Sequence, residues 1–405
     1  MKKDKNRRQY MLTEEEIKAI SKYIDSEPSE IALRLKTTGR IRPEVVATQV
    51  DCRRRLKEKV PAWATNERLY VPSVINVQQS TSQKVAEWRA KLVEGDTLVD
   101  LTGGLGVDCY FMSRGLKHAV HTEPNKILHE AVRRNLLELD VHNITAENTT
   151  AEDMLSEMRE RVGTIYIDPS RRAVDGQRVF RLKDCTPDVT ELAPEMTRKA
   201  EVVLIKLSTL LDIDQAVADV PNVTDVYVIE TGNECKDLML RLREGYKGEP
   251  IIHAVRLSDA GEEEFTYTKV EEHVATMTIA KDILAGQFLF EPSPALMKAG
   301  PYALISERFG ISQMSLSTHL YISEIDRADF MGRRFKILDI YGTSKHELAR
   351  LGRNHPRASI AVRNSKLTVQ ELRRRCKIGE SDTTYIFCGA GIDGRDCIMV
   401  CEKIA

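Results

Sequence analysis

A loop with three glycines is the part of this chain that points most directly to chemistry. It follows an apolar run that ends at Asp100, and it comprises Gly103, Gly104 and Gly106, after which a helical pattern begins. Glycine lets a ligand approach the backbone closely and adopts positive φ without strain. The next predicted strand ends in Glu123. An acid at this point of a βαβ unit suits the two hydroxyls of a ribose, so the pattern predicts a nucleotide-type ligand.

Two ligands of this type, NAD and S-adenosylmethionine, have different requirements. A dinucleotide site has a third glycine at the position that Cys109 occupies here, and an acid such as Asp100 is unfavourable beside a pyrophosphate. The same acid suits the ammonium group of S-adenosylmethionine, which also carries a ribose for Glu123 and has no phosphate. The residues therefore favour S-adenosylmethionine, with Thr102 and Asp108 as further cofactor-binding candidates. A glycine-rich turn in some other α/β domain is the structural alternative.

The elements that must position this loop alternate between strand and helix patterns. Strands are predicted at 97–101, 119–123, 143–148, 163–167, 201–206 and 224–230, and a seventh follows closely at 237–242. Such alternation favours a parallel sheet covered by helices on both faces. The short connection before the seventh strand indicates an antiparallel edge hairpin. The expected fold class is therefore α/β, with a Rossmann-like sheet of seven strands.

The length and composition of the chain indicate how many domains it has and which kinds of protein it can be. A chain of 405 residues is too long for one compact core, and we expect an N-terminal helical domain at 1–88, a catalytic domain at 89–275, a small connecting module at 276–325 and a small α/β domain at 326–405. The net charge is −1, and no apolar run approaches the roughly 18 residues of a membrane span. No membrane segment is therefore expected, and no metal site either, because the eight cysteines form no CxxC pair. The chain is predicted to be cytoplasmic.

A second candidate site follows the fourth predicted strand, where open α/β sheets hold their substrates. The residues there are Asp168, Pro169, Ser170, Arg171 and Arg172. The carboxylate of Asp168 is the candidate for holding or activating the substrate. The two arginines either clamp a phosphate or form ion pairs at a domain joint.

Two further side chains leave alternatives open. Cys185 is the nearest downstream cysteine, and it is either a nucleophile or, more simply, a packed thiol. Lys206 ends the fifth predicted strand on the substrate side, where it is either a site residue or a solvated rim residue.

Residues 99–106 resemble the first motif of S-adenosylmethionine-dependent methyltransferases with the Rossmann-like fold, and Glu123 matches the ribose-binding acid of that family. The resemblance implies that a polar segment before the first strand folds over the methionine end of the cofactor. It also implies that residues after the third strand contact the adenine. The first group consists of Gln79, Ser80, Thr81 and Ser82, and the second of Thr150 and Ala151. Helix capping by Thr81, Ser82 or Thr150 is the alternative for these hydroxyls.

The last 75 residues have a charge bias that the net charge hides. Residues 331–378 contain 13 basic and 3 acidic residues, which suggests contacts with an RNA backbone, although a solvated helix face would look the same. Together with the Asp-Pro-Ser-Arg-Arg segment, the chain resembles a bacterial family of S-adenosylmethionine-dependent methyltransferases with a C-terminal domain similar to the THUMP RNA-binding module. This resemblance implies methyl transfer to a base of ribosomal or transfer RNA. Methylation of a protein or small molecule, or RNA binding without catalysis, are the alternatives.

Overall fold

A computed structural model describes residues 10–38, 40–170, 181–391 and 394–404. The chain divides into two compact units, the first formed by Met1–Val226 with Leu238–Gly248 and the second by Tyr227–Asp237 with Glu249–Ala405. The four-domain organisation expected from the sequence stays a prediction. Residues Arg171 and Arg172 of the candidate substrate site lie outside the described residues.

The helices are α1 (Glu14–Lys22), α2 (Pro28–Arg34), α3 (Pro43–Lys59), α4 (Pro61–Ala64), α5 (Val74–Gln79), α6 (Gln83–Arg89), α7 (Val107–Met112), α8 (Lys126–Glu138), α9 (Ala151–Glu157), α10 (Val189–Lys199), α11 (Ile213–Asp219), α12 (Lys269–Val274), α13 (Pro294–Ala299), α14 (Tyr302–Phe309), α15 (Lys345–Asn354) and α16 (Val369–Cys376). The strands are β1 (Thr97–Asp100), β2 (His118–Thr122), β3 (Ile144–Glu147), β4 (Val162–Ile167), β5 (Ala200–Leu207), β6 (Val223–Thr231), β7 (Glu234–Leu242), β8 (Ile251–Ser258), β9 (Gly261–Tyr267), β10 (Phe288–Pro292), β11 (Ser312–Ser315), β12 (Thr318–Ser323), β13 (Gly332–Tyr341), β14 (Ser359–Arg363), β15 (Thr384–Ala390) and β16 (Asp396–Lys403).

The strands that lie wholly or partly in the first unit follow the order β3-β2-β1-β4-β5-β7-β6. The strands β1 to β5 are parallel, whereas β7 runs antiparallel to β5 and pairs Leu242 with Val203. The predicted α/β fold class, with its late antiparallel hairpin, is confirmed. From β1, the sheet extends to one side through β2 and β3 and to the other side through β4 and β5. The carboxyl ends of β1 and β4 therefore border the crevice in which sheets of this kind bind ligands.

The N-terminal helices share a core with this sheet. One buried cluster contains Cys52, Leu56 and Trp63 from α3 and α4, together with Leu128 and Leu136 from α8. Helix α1 begins with a capping box, in which the Thr13 hydroxyl accepts a hydrogen bond from the Glu16 amide. The same cluster includes Leu105 and Val107 at the end of the glycine loop, so these helices pack close to it.

The second unit contains a seven-stranded sheet in the order β11-β12-β10-β13-β16-β15-β14, and an antiparallel hairpin of β8 and β9. Helices α15 and α16 pack against the β14–β16 end of this sheet, around Leu348, Leu351 and Leu372. The two helices meet very closely at Gly352, because a Cβ atom there would lie 1.8 Å from the carbonyl oxygen of Cys376. Only glycine permits this backbone-to-backbone contact.

In the described part of the chain, no helix is long and apolar enough to span a membrane. The same residues hold no group of three or more His, Cys, Asp or Glu side chains arranged to bind a metal ion. All eight cysteines are free, and six of them are buried, with Cys235 and Cys397 half-buried.

Candidate active site

The glycine loop lies where the sequence predicts it, between β1 and α7. Gly104 and Gly106 have φ of 54° and 87°, in the left-handed region that favours glycine. A Cβ atom on Gly104 would come no nearer than 3.8 Å to another atom, so the space above this residue is open to a ligand. A Cβ atom on Gly103 would instead lie 2.2 Å from the ring of His121. Gly103 is therefore required by packing within the protein, whereas Gly104 leaves room for a bound molecule.

His121 supports the loop from below. Its side chain on β2 is fully buried, and Nε2 lies 3.2 Å from the carbonyl oxygen of Gly104. Burial lowers the pKa of His121 to about 4, so the ring is neutral at physiological pH and can donate from Nε2. The loop is thus fixed by a neutral imidazole that the sequence analysis did not select.

Asp100 ends β1 directly beneath the loop. Its Oδ1 accepts a hydrogen bond from the Thr102 amide (3.0 Å), whereas its buried Oδ2 has no partner among the described residues. Burial raises the pKa of the Asp100 carboxyl well above its ordinary value. A buried polar atom without a partner is costly in a folded protein, and a cationic ligand group at this place would satisfy it. The geometry therefore fits the ammonium group of S-adenosylmethionine.

Glu123 and the residues after β3 are the candidates for contacts with the ribose and the adenine. The Glu123 carboxylate accepts a hydrogen bond from the Asn125 amide (2.7 Å), and burial raises its pKa while the amides of Asn125 and Gly104 act against this. Thr150 is the N-cap of α9 and accepts from the Asp153 amide (3.1 Å), and Ala151 is buried at the first position of that helix. The capping interpretation of Thr150 thus describes its side chain in this structure.

Among the four residues predicted before the first strand, only Thr81 lies in the centre of the site. Its hydroxyl donates to Oδ2 of Asp108 (2.7 Å). Gln79 is exposed, the Ser80 hydroxyl donates to the Val77 carbonyl within α5, and Ser82 precedes α6 without a capping bond from its side chain. A cofactor contact by Gln79, Ser80 or Ser82 remains a prediction.

A buried ion pair that the sequence analysis missed lies beneath Thr81. Arg89, at the end of α6, has no exposed side-chain surface and forms a salt bridge with Asp108. Arg89 also donates from Nη1 to the Tyr166 hydroxyl (2.9 Å), which donates to Asp108 (3.3 Å). Burial favours the neutral acid, but the Arg89 charge and these hydrogen bonds hold the pKa of Asp108 below its ordinary value. Asp108 is therefore an anion within a fully partnered network.

The candidate substrate site adjoins this network. The Asp168 amide, directly after β4, donates to the Thr102 hydroxyl (2.6 Å), which joins the ends of β1 and β4. Oδ2 of Asp168 accepts a hydrogen bond from Nζ of Lys206 at the end of β5 (2.7 Å). Pro169 is buried, and Ser170 exchanges backbone hydrogen bonds with Thr186. Cys185 is buried, in keeping with a packed thiol.

The arrangement supports a pH prediction for cofactor binding. An ammonium group beside Asp100 stabilises the carboxylate, so binding should lower the pKa that burial raises in the free protein. We therefore expect proton release on binding, and an affinity for S-adenosylmethionine that rises with pH, in the range between the pKa of Asp100 in the complex and its higher pKa in the free protein. Calorimetry in buffers of different ionisation enthalpy measures both. The Asp100→Asn variant should bind more weakly and release no proton at this site, and an unchanged proton release in that variant would contradict the assignment.

Comparison with known proteins agrees with this fold. A family described as THUMP domain-like matches residues 332–403, and one described as a ferredoxin-like domain matches residues 288–330. An uncharacterized S-adenosylmethionine-dependent methyltransferase of Mycobacterium tuberculosis strain H37Rv is 24% identical over 342 residues, which cover 83% of this chain and 89% of that protein. The crystal structure of a proposed methyltransferase of Porphyromonas gingivalis W83 matches 98% of this chain and 100% of that one, at 28% identity and a TM-score of 0.86. The expected resemblance to methyltransferases with a THUMP-like C-terminal domain is thus confirmed.

Proposed function

We propose that this protein, a S-adenosylmethionine-dependent methyltransferase by fold and by its relatives, methylates a base of ribosomal or transfer RNA. The observation that carries the catalytic part is the position of Asp168, whose backbone amide donates to the Thr102 hydroxyl at the glycine loop that we assign to the cofactor. The THUMP-like match supports RNA as the substrate.

The chain supplies a seat for the cofactor and a group for the methyl acceptor. Bound S-adenosylmethionine supplies an electrophilic methyl group on a sulfonium. Asp100 would hold the ammonium group, Glu123 the ribose hydroxyls, and Gly104 leaves space for the ligand at the loop. Lys206 donates to Oδ2 of Asp168, so Oδ1 is left to accept a hydrogen bond from the substrate. The substrate atom that receives the methyl group must then carry a hydrogen, as an N–H or O–H group. Asp168 would orient the lone pair of that group and take its proton.

The basic C-terminal segment is only partly available for RNA. Among the described residues, six of its thirteen cations form ion pairs. Arg333 and Arg363 both contact the buried Glu291, and the other four pair with acids nearby. The remaining pairs are Arg334–Asp326, Arg350–Glu347, Arg373–Glu380 and Arg375–Glu371. The local excess of positive charge read from the sequence therefore overstates the free charge on this unit.

Four exposed cations lie at the carboxyl ends of α15 and α16 and just beyond them. This cationic cluster comprises Arg353, Arg357, Arg374 and Lys377, none of which has an ion pair among the described residues. The backbone contact between Gly352 and Cys376, and the bridge between Arg357 and Gly379, bring these segments together. We assign the cluster to the RNA phosphates, which arginine and lysine neutralise most effectively.

Replacing Arg353, Arg374 and Lys377 together by Gln should weaken RNA binding without changing the affinity for S-adenosylmethionine. Each lost phosphate contact should reduce the slope of log affinity against log salt by about 0.7–0.9. Titrations at several salt concentrations measure this slope. The matched control is the double variant Glu347→Gln, Arg350→Gln. It removes an ion pair of α15 without changing the net charge and should leave the slope unchanged. Equal slopes for the triple variant and the wild type would contradict the assignment.

Mass spectrometry of modified nucleosides tests the function as a whole. RNA from a deletion strain, incubated with the purified protein and methyl-labelled S-adenosylmethionine, should gain one methylated base that is present in RNA of the parent strain. Labelling of protein or of a small molecule, with no label in RNA, would overturn the RNA assignment. Binding of RNA without any labelling would favour a non-catalytic role.

A further inference from the structure

A single hydroxyl connects the cofactor side of the site with its substrate side. The Thr81 side chain is 7% exposed, and it donates to Asp108 as described above. Its oxygen also lies 3.4 Å from Nη1 of Arg89 and 3.4 Å from Nζ of Lys206. A hydroxyl has one hydrogen to donate and two lone pairs that accept, so these three neighbours use its full capacity. Thr81 therefore has a fixed orientation.

Lys206 does not lie on the rim of the sheet. Its side chain is only 14% exposed, and its ammonium group sits between Oδ2 of Asp168 and the oxygen of Thr81. An ammonium group only donates hydrogen bonds, and both of these oxygens can accept them. A lysine on the rim would keep its ammonium group in water and lay its aliphatic chain along apolar surface. This burial, and contact with the one carboxylate at the end of β4, indicate a role within the site.

We propose that Lys206 is a positioning residue for Asp168. It fixes one carboxylate oxygen so that the other is presented to the methyl acceptor, and Thr81 in turn fixes the ammonium group. This role rests on the proposed methyl transfer. Because Thr81 is itself oriented by Asp108, the geometry of the acceptor site depends on the same network that lies beneath the cofactor loop.

The substitution Lys206→Met tests this role, because it removes the charge and keeps much of the length of the side chain. We expect kcat to fall about 100-fold, which is the size of effect that a misplacement of roughly 1 Å can have. The KM for RNA and the Kd for S-adenosylmethionine should change less than about threefold, since Lys206 is assigned to neither ligand. Lys206→Arg keeps a donor to Asp168, and its kcat should be at least tenfold higher than that of Lys206→Met. The matched control is Lys117→Met, which removes the exposed Lys117–Asp96 pair and should leave kcat unchanged.

Thermal unfolding tests the same pairing without cofactor or RNA. The Tm values of Lys206→Met, Asp168→Asn and the double variant should be non-additive, with the double variant close to the less stable single variant. Additive shifts would overturn the pairing. If the wild type methylates RNA and Lys206→Met keeps its kcat, the positioning role alone is wrong. If Lys206→Arg is as slow as Lys206→Met, the donor is not what matters, and the role is also wrong. If the wild type methylates no RNA, the proposed function and this role are wrong together.

Discussion

Replacing Asp168 by Asn should lower kcat for methyl transfer by about 10²–10⁴-fold and leave the affinity for S-adenosylmethionine nearly unchanged. The amide has the size of the carboxylate, but it cannot take a proton from the acceptor, and general-base contributions are of this magnitude. Cofactor affinity should persist because the Asp168 side chain, which is 35% exposed, faces Lys206, and only its backbone amide reaches Thr102. Single-turnover kinetics and calorimetry on the same preparation separate the two effects.

The control for this experiment is Asp96→Asn. Asp96 also pairs with a lysine, but at an exposed place on the first unit, so the same chemical change should not affect kcat. If Asp168→Asn retained more than a tenth of the wild-type kcat, Asp168 would be a residue that merely ends β4.

Replacing Arg89 by Met should destabilise the first unit by about 3–5 kcal/mol. The methionine fits the apolar part of the cavity, but it leaves the Asp108 carboxylate largely buried without its main counter-charge, and the loss of one partner of a buried pair costs this much. Tyr166 and Thr81 keep their hydrogen bonds to Asp108, although neither carries a charge. Urea unfolding monitored by fluorescence of the two tryptophans measures the free energy of unfolding.

Two further variants identify the cause of that loss. Arg89→Met combined with Asp108→Leu removes both charges and should be more stable than Arg89→Met alone. Arg133→Met removes a cation from an exposed pair with Glu130 and should cost less than about 1 kcal/mol. A loss below about 1 kcal/mol in Arg89→Met would show that water or a rearranged side chain reaches Asp108.

The sheet and the glycine loop could be predicted from the sequence because both depend on local patterns. Buried parallel strands are nearly continuous apolar runs, and the observed β1, β4 and β5 begin and end within one residue of the predicted segments. The glycines and Asp100 are adjacent in the chain, so their proximity needs no knowledge of the fold.

The network beneath the loop could not be predicted, because its members come from separate elements. Arg89, Tyr166 and Lys206 meet only after α6, β4 and β5 have been placed side by side. A partial signal exists, since Arg89 follows Val85 by four residues and thus shares the buried face of α6. Tyr166 likewise interrupts an apolar strand with a hydroxyl that must find a partner.

The charge of the C-terminal segment shows a different limit of sequence reasoning. Glu291, which pairs with both Arg333 and Arg363, lies outside residues 331–378, so a local count cannot include it. Strands β10 and β13 pair in the antiparallel direction, and their register places Glu291 opposite Arg333. Free charge is therefore a property of the folded sheet and cannot be counted along the chain.

The core shared by the N-terminal helices and the sheet has a consequence for synthesis on the ribosome. Its members extend from Cys52 to Leu136, a separation of 84 residues. At about 5–20 residues per second, roughly 4–17 s pass between the synthesis of α3 and that of the end of α8. During this interval Leu56 and Trp63 lack the apolar partners that α7 and α8 provide. Among the members of this cluster, those of α3 and α4 thus wait longest for their partners, so we expect their apolar side chains to stay exposed on the nascent chain during this interval.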